Sequence, residues 1–208
     1  MATIISHRGC WSSPQERNSE AALRRSFELG FGAETDVRDH AGTLVIAHDP
    51  PHGGEIELSA VLAAYRASAV SGPLALNVKA DGLQQLLADA LDSAQVPYFA
   101  FDMSVPDMVA YARASMRYFT RQSEYEPVPV LYEDAAGVWV DCFERAWVDE
   151  ACVAAHLSAG KDVCLVSPEL HGRDPAPAWE AWSSWPVLRD PRVIVCTDLP
   201  ERAAETLR

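Results

Sequence analysis

The sequence predicts an α/β fold, a compact (β/α)8 TIM barrel in a single domain over residues 1–208, on three observations. Short apolar runs alternate with amphipathic stretches from end to end, the pattern of strands joined by helical crossovers. The apolar runs number eight, at 3–7, 32–37 with an extension at 43–47, 74–79, 98–102, 117–121, 137–141, 162–166 and 192–196. Several end in charged or amide side chains, as barrel strands do at the face that carries active sites. A chain of 208 residues is short against the ~250 typical of such barrels, so some connections must be minimal. A doubly wound open sheet is the alternative architecture for the same alternation.

The elements follow in order. After the first strand, Asn18-Ser19-Glu20 opens a helix that carries Ala22, Leu23, Phe27 and Leu29 and stops at Gly30. A helix near 58–68 precedes the third strand, and Asp81-Gly82 precedes the stripe Leu83, Leu86, Leu87, Ala90, Leu91. Further helices fall near 105–115, 148–159 and 176–185, while the Pro-rich piece 126–129 is a loop. Trp179, Trp182 and Trp185 recur at i, i+3, i+6, the spacing of one helix face packed on the barrel.

Composition narrows the function. A net charge of −13, from 17 Lys+Arg against 30 Asp+Glu, opposes nucleic acid and stable membrane association, both of which need a basic footprint. No stretch approaches the roughly 20 apolar residues of a membrane helix, and the first residues show no targeting signal. The five cysteines form no C-x-x-C pair and mostly lie in apolar runs, which reads as buried free thiols in a reducing compartment. The expectation is a cytoplasmic protein acting on a small, diffusible substrate.

The chemistry is concentrated at strand ends. The first gives His7-Arg8-Gly9, the second Glu34-Thr35-Asp36 followed by His48-Asp49, and the third Asn77-Val78-Lys79. Residues i and i+2 of a strand share a face, so Glu34 projects with Asp36 and Asn77 with Lys79. Two inward carboxylates need a counter-charge, which a hard dication such as Mg2+ or Ca2+ supplies, with the Asn77 amide oxygen as a third donor. In isolation an E-x-D pair is more often a solvated strand end or an ion pair. Arg121 and Glu169, which follow later strands directly, are the preferred substrate contacts, and His40, His52 and His156 read as surface or loop histidines.

The ordered set His-Arg-Gly, Asn-Ser opening a helix, Gly-x-Glu-x-Asp-Val, Val-x-x-His-Asp and x-Val-Lys resembles the glycerophosphodiester phosphodiesterase family, and more broadly the phosphatidylinositol phospholipase C-like barrels. The likeness is closest over residues 5–50 and extends to 74–79 and to Val193 through Pro200, similar to that family's closing strand and Thr-Asp-x-Pro turn. The resemblance implies that His7 and His48 form the acid–base pair, that Arg8 and Lys79 hold the phosphate, and that Glu34 and Asp36 bind one divalent metal ion. Residue chemistry agrees: a phosphodiester anion needs its charge offset, and imidazole, with a pKa near ~6.5, suits both proton transfers at neutral pH.

Two departures stand out. Asn77 occupies the place of the family's third metal carboxylate, which predicts weaker metal binding. Only Pro50-Pro51-His52-Gly53-Gly54-Glu55 follows His48-Asp49, in place of the insertion that helps the family recognise glycerol. The leading expectation is a metal-dependent hydrolase of a small phosphodiester, by attack of a neighbouring hydroxyl and a cyclic phosphate. The alternatives are a cyclising lyase of the sphingomyelinase D or phospholipase C-like type, and a catalytically weak phosphate-ligand binding protein.

Overall fold

The computed structural model describes residues 2–207. Its strands are β1 (Thr3–His7), β2 (Gly32–His40), β3 (Thr43–Ile46), β4 (Leu74–Val78), β5 (Tyr98–Phe101), β6 (Phe119–Gln122), β7 (Gly137–Val140), β8 (Asp162–Val166) and β9 (Val193–Thr197). The helices are α1 (Glu20–Glu28), α2 (Leu58–Arg66), α3 (Gln84–Ala94), α4 (Val105–Arg113), α5 (Glu150–Ser158), α6 (Ala176–Ser183) and α7 (Pro200–Thr206). Eight strands run side by side in the order β5-β4-β2-β1-β9-β8-β7-β6, and β3 folds back on β2 as an antiparallel extension. The central pairs are parallel, so the C-terminal strand ends converge on one face.

The cylinder closes between β5 and β6 by a single bridge, Ala100 to Tyr118, with Ala100 N donating to Arg117 O at 3.0 Å. Side chains close the inside of this seam: Phe99 stacks on Phe119 with centroids 3.8 Å apart, and Phe101 stacks on Trp139 at 4.0 Å. Strand alternation produces two apolar layers. Ile5, Ala75, Cys164 and Ile194 point inward with these rings, whereas Ala33, Leu74, Leu76 and Val78 point outward under the helices. Trp179 and Trp182 are buried on the outer side against β8 and β9, and Trp179 Nε1 donates to Ser167 Oγ at 2.9 Å.

The chain is short because the β6 to β7 crossover has no helix. Residues 123–136 form a loop, held by Lys161 Nζ, which donates to Glu133 O and Ala135 O at 2.8 Å each. Thr120 Oγ1 and Tyr118 OH pin the same loop through Val130 O at 2.7 Å and Leu131 O at 3.1 Å. His40 and His52 are exposed, but His156, expected at the surface, is buried beside this loop. Its Nδ1 meets Tyr132 OH at 2.9 Å and its Nε2 meets Gln122 Oε1 at 2.8 Å. It is buried because α5 packs on two sides, against β8 and against the helix-free crossover.

Burial pushes the His156 pKa below its ordinary value. The unfolded chain therefore takes up this proton more readily than the folded one. The stability contributed by neutral His156 is full above the unfolded value near ~6.5 and is lost as pH falls from there through the lower folded pKa. Denaturant midpoints should fall on acidification in the wild type, and His156→Gln should flatten that fall. Equal pH slopes for the two proteins would remove His156 as its source.

Candidate active site

The face where the strands end is shaped by backbone as much as by side chains. The chain turns immediately after β1, with Arg8 at φ 57° and Gly9 at φ 83°. A Cβ on Gly9 would lie 2.6 Å from the Ala22 backbone, so α1 packs directly on this turn. A left-handed conformation costs a non-glycine residue roughly 1–2 kcal/mol, yet Asp102, at the end of β5, adopts it as well at φ 68°. Arg8 and Asp102 both line a cleft of about 360 Å³ at the barrel mouth. His7, Glu34, His48, Asn77, Lys79 and Arg121 line it too, so the structure brings together most of the side chains expected from sequence.

Strand register explains the grouping. Glu34 pairs with His7 across β1 and β2, and Asp36 pairs with Asn77 across β2 and β4, so each couple shares the inward face. Glu34 is 1% exposed and accepts from Arg8 N at 3.2 Å, while its carboxylate lies 3.8 Å from His7 Nε2. Burial pushes the Glu34 pKa up; the nearby His7 pulls the other way and Asp36 adds to the rise. Asp36 is fully buried between cations, with Arg8 Nε at 3.0 Å and Lys79 Nζ at 3.4 Å, and accepts from Asn18 Nδ2 at 2.8 Å. Arg8 Nε makes no hydrogen bond despite its nearness to Asp36.

These oxygens suit a divalent cation. Asn77 Oδ1 is buried and accepts no hydrogen bond, and Asp36 Oδ1 likewise accepts none, with only the Lys79 ammonium nearby. Buried acceptors without donors are uncommon, and a hard cation satisfies them as well as a donor would. Among the described residues no three His, Cys, Asp or Glu side chains are grouped to hold an ion. The donor set available to such an ion would be two carboxylates, Glu34 and Asp36, with the Asn77 amide, a set of lower charge than three carboxylates.

Each histidine expected in acid–base work meets a carboxylate through Nδ1. His7 Nδ1 lies 2.7 Å from Asp198 Oδ1, and His48 Nδ1 lies 2.9 Å from Asp49 Oδ1. The two environments differ: the His7 side chain is 15% exposed and the His48 side chain 51%, so His48 stands at the rim. No local pattern gives Asp198 this role, because it meets His7 only when β9 closes beside β1. Arg17 also went unassigned; it lines the cleft, reaches Asp198 Oδ2 at 3.5 Å and stacks on Trp11 at 4.4 Å. Asn18, read as a helix opener, also orders the site, since its Oδ1 accepts from Thr35 Oγ1 at 2.8 Å while its amide holds Asp36.

The remaining two expected contacts part company. Arg121 lines the cleft, donating to Asp102 Oδ1 at 2.6 Å and to Glu126. Glu169 does not line it. Its carboxylate accepts from Ser167 Oγ, Thr197 Oγ1 and the Asp198 backbone N–H, and so fixes the turn that presents Asp198 to His7. From this segment Leu170 and His171 line the cleft, and His171 Nε2 lies 2.6 Å from Asp141 Oδ1. Pro168–His171 is a 3-10 turn, so strand alternation no longer tells which side chain faces the mouth.

No protein-family model matches the sequence, and no curated protein sequence matches it. Solved structures do. A glycerophosphoryl diester phosphodiesterase from Parabacteroides distasonis superposes with a TM-score of 0.68 at 13% identity, over 100% of this chain and 86% of that one. A Ca2+-dependent phosphatidylinositol-specific phospholipase C from Streptomyces antibioticus gives a TM-score of 0.56 at 10% identity, over 100% of this chain and 96% of that one. At such identities the likeness establishes architecture alone: the chain has the TIM-barrel fold that these two phosphodiesterases share.

Proposed function

We propose that the protein is a metal-dependent phosphodiesterase acting on a small phosphodiester in the cytoplasm. The observation that carries this reading is one cleft lined by two carboxylate-engaged histidines, His7 and His48, by the cations Arg8 and Lys79 and by the oxygen donors Glu34 and Asn77, with Asp36 fully buried against both cations. A binding protein needs charge to hold phosphate but has no use for two proton-transfer groups. The fold shared with two phosphodiesterases supports the reading. Among the described residues no helix is long and apolar enough to cross a membrane.

Arg8 and Lys79 would bind the non-bridging oxygens, Arg8 through its planar fork and Lys79 as a point charge. Asp198 holds the proton on His7 Nδ1, leaving Nε2 to exchange a proton with the substrate. One histidine takes the proton of a neighbouring substrate hydroxyl as its oxygen bonds to phosphorus. The other gives a proton to the departing alcohol as the opposite P–O bond breaks. A cyclic phosphate results, the two histidines are left in exchanged protonation states, and attack by water in the reverse sense opens the ring. Glu34, Asp36 and Asn77 would hold a divalent ion, Mg2+ or Ca2+, which would supply Lewis-acid stabilisation of charge on the phosphoryl oxygens.

A phosphorus NMR screen of phosphodiesters with added Mg2+, Ca2+ or Mn2+ tests the reading directly. A persistent cyclic product identifies a cyclising lyase, an opened monoester identifies a hydrolase, and ligand line-broadening with no product in any ion identifies a binding protein. Asn77 provides a finer test. Asn77→Glu adds a carboxylate to the donor set and should tighten metal binding about tenfold in calorimetric titration, while turnover does not rise in step because extra negative charge weakens the pull on phosphate. If metal affinity stays unchanged and KM rises instead, Asn77 is a donor to substrate phosphate and not a ligand.

A further inference from the structure

Phe101 and Asp102 are consecutive, yet both line the cleft. Alternation along an extended strand forbids this, since neighbours point to opposite faces. The left-handed backbone at Asp102, φ 68°, breaks the alternation at the end of β5. The end of β1 uses the same device: His7 and Arg8 both line the cleft, with Arg8 at φ 57°. Residues held in this conformation cluster at functional sites, where the strain is kept for what the side chain does. Arg8 has such a use in the proposed reaction, and Asp102 has none there.

The contacts of Asp102 define one. Its Oδ1 accepts from Arg121 NH1 at 2.6 Å, and its Oδ2 lies 3.7 Å from Lys79 Nζ. The same ammonium lies 3.4 Å from Asp36 Oδ1. In the strand order β5-β4-β2, Lys79 follows the middle strand, so Asp36 flanks it from β2 and Asp102 from the end of β5. Neither distance reaches the roughly 2.8 Å of a charge-assisted hydrogen bond, so the ammonium is shared by two carboxylates and seated on neither. An ammonium that loses one of two flanking carboxylates is drawn onto the other. Asp36 Oδ1 is the oxygen at stake: it is buried, accepts no hydrogen bond and belongs to the set that would hold a divalent ion. A lysine seated on it would compete with that ion, because both neutralise the same oxygen.

We infer that Asp102 is a positioning residue: by drawing Lys79 away from Asp36, it keeps Asp36 Oδ1 open to the metal ion and the ammonium free for the substrate phosphate. Arg121 supports it from β6 by fixing Oδ1. The inference rests on the metal-dependent reading of the same cleft.

Metal titration of a double-mutant cycle tests it without turnover. Asparagine adopts the left-handed conformation readily, so Asp102→Asn removes the charge and keeps the turn. It should weaken Mg2+ or Ca2+ binding about fivefold in calorimetric titration, within the range of couplings inside one charge network. In a Lys79→Gln background no ammonium is left to fall on Asp36, and the same substitution should weaken binding by less than about twofold. Asp102→Gly, which accepts this φ with no side chain, should match Asp102→Asn in both backgrounds, and thermal melting shows whether each variant is folded. Equal losses with and without Lys79 overturn the inference, because Asp102 then acts through its charge alone, and no loss in either background overturns it as well. In both of these cases metal binding by wild type leaves the metal site standing. Wild type that binds neither ion withdraws the metal site, and this inference with it.

Discussion

Replacing His7 or His48 by alanine lowers phosphodiester turnover by about 10²-fold or more, the range for losing a general acid or base. The structure makes the two losses unequal in kind. His7 is anchored at β1, and its Nδ1 is tied to Asp198 at 2.7 Å, whereas His48 stands on the rim with only the exposed Asp49 at 2.9 Å. Asp198→Asn should therefore lower turnover through His7, by less than His7→Ala, because the ring loses the carboxylate that orients it. A substrate with a good leaving group such as p-nitrophenolate should rescue whichever histidine protonates the alcohol, and leave the other variant defective. Initial rates with matched good and poor leaving groups check this. Two alanine variants as active as wild type would end the acid–base assignment.

Chelation of divalent ions abolishes turnover, and adding back Mg2+ or Ca2+ restores it. The expectation comes from Asn77 Oδ1 and Asp36 Oδ1, both buried without a hydrogen bond, next to the buried Glu34 carboxylate. Arg8 and Lys79 both sit against Asp36, while Glu34 has no lysine or arginine side chain within ion-pair distance among the described residues. Glu34→Gln should weaken metal binding in a calorimetric titration and lower turnover at limiting metal, with partial recovery at high metal. Full turnover in protein shown by elemental analysis to be free of metal would mean that Arg8 and Lys79 carry the phosphate charge alone. The metal reading would then be withdrawn and the histidine chemistry kept.

The fold was readable because its signals are local. Each apolar run at 3–7, 74–79 or 162–166 falls on a strand, and Ser19 caps α1 by accepting from Ala22 N at 3.2 Å, as the Asn18-Ser19-Glu20 opening predicts. α7 was missed: its seven residues are too short for a periodic signal, and Pro200 at its start resembles a turn. The first half of the site was readable for the same local reason. Glu34 and Asp36 are two apart on one strand, and His7-Arg8 ends another, so alternation and the barrel's geometry place them without knowledge of the rest.

What the sequence determined by itself is thus the barrel, the strand ends and the set of groups that reach its mouth from β1, β2 and β4. Tertiary structure alone decided how those groups are held. Asp198 touches His7 across a separation of 191 residues, which exists only when β9 lies beside β1. Glu169, the preferred contact from its segment, buttresses the Asp198 turn instead, while Leu170 and His171 line the cleft, because a 3-10 turn replaces strand alternation there. Alternation along a strand is a property of the chain, but the partner of a polar side chain is set by barrel closure and loop rotation. Those depend on contacts between residues far apart in sequence, and no local pattern records them.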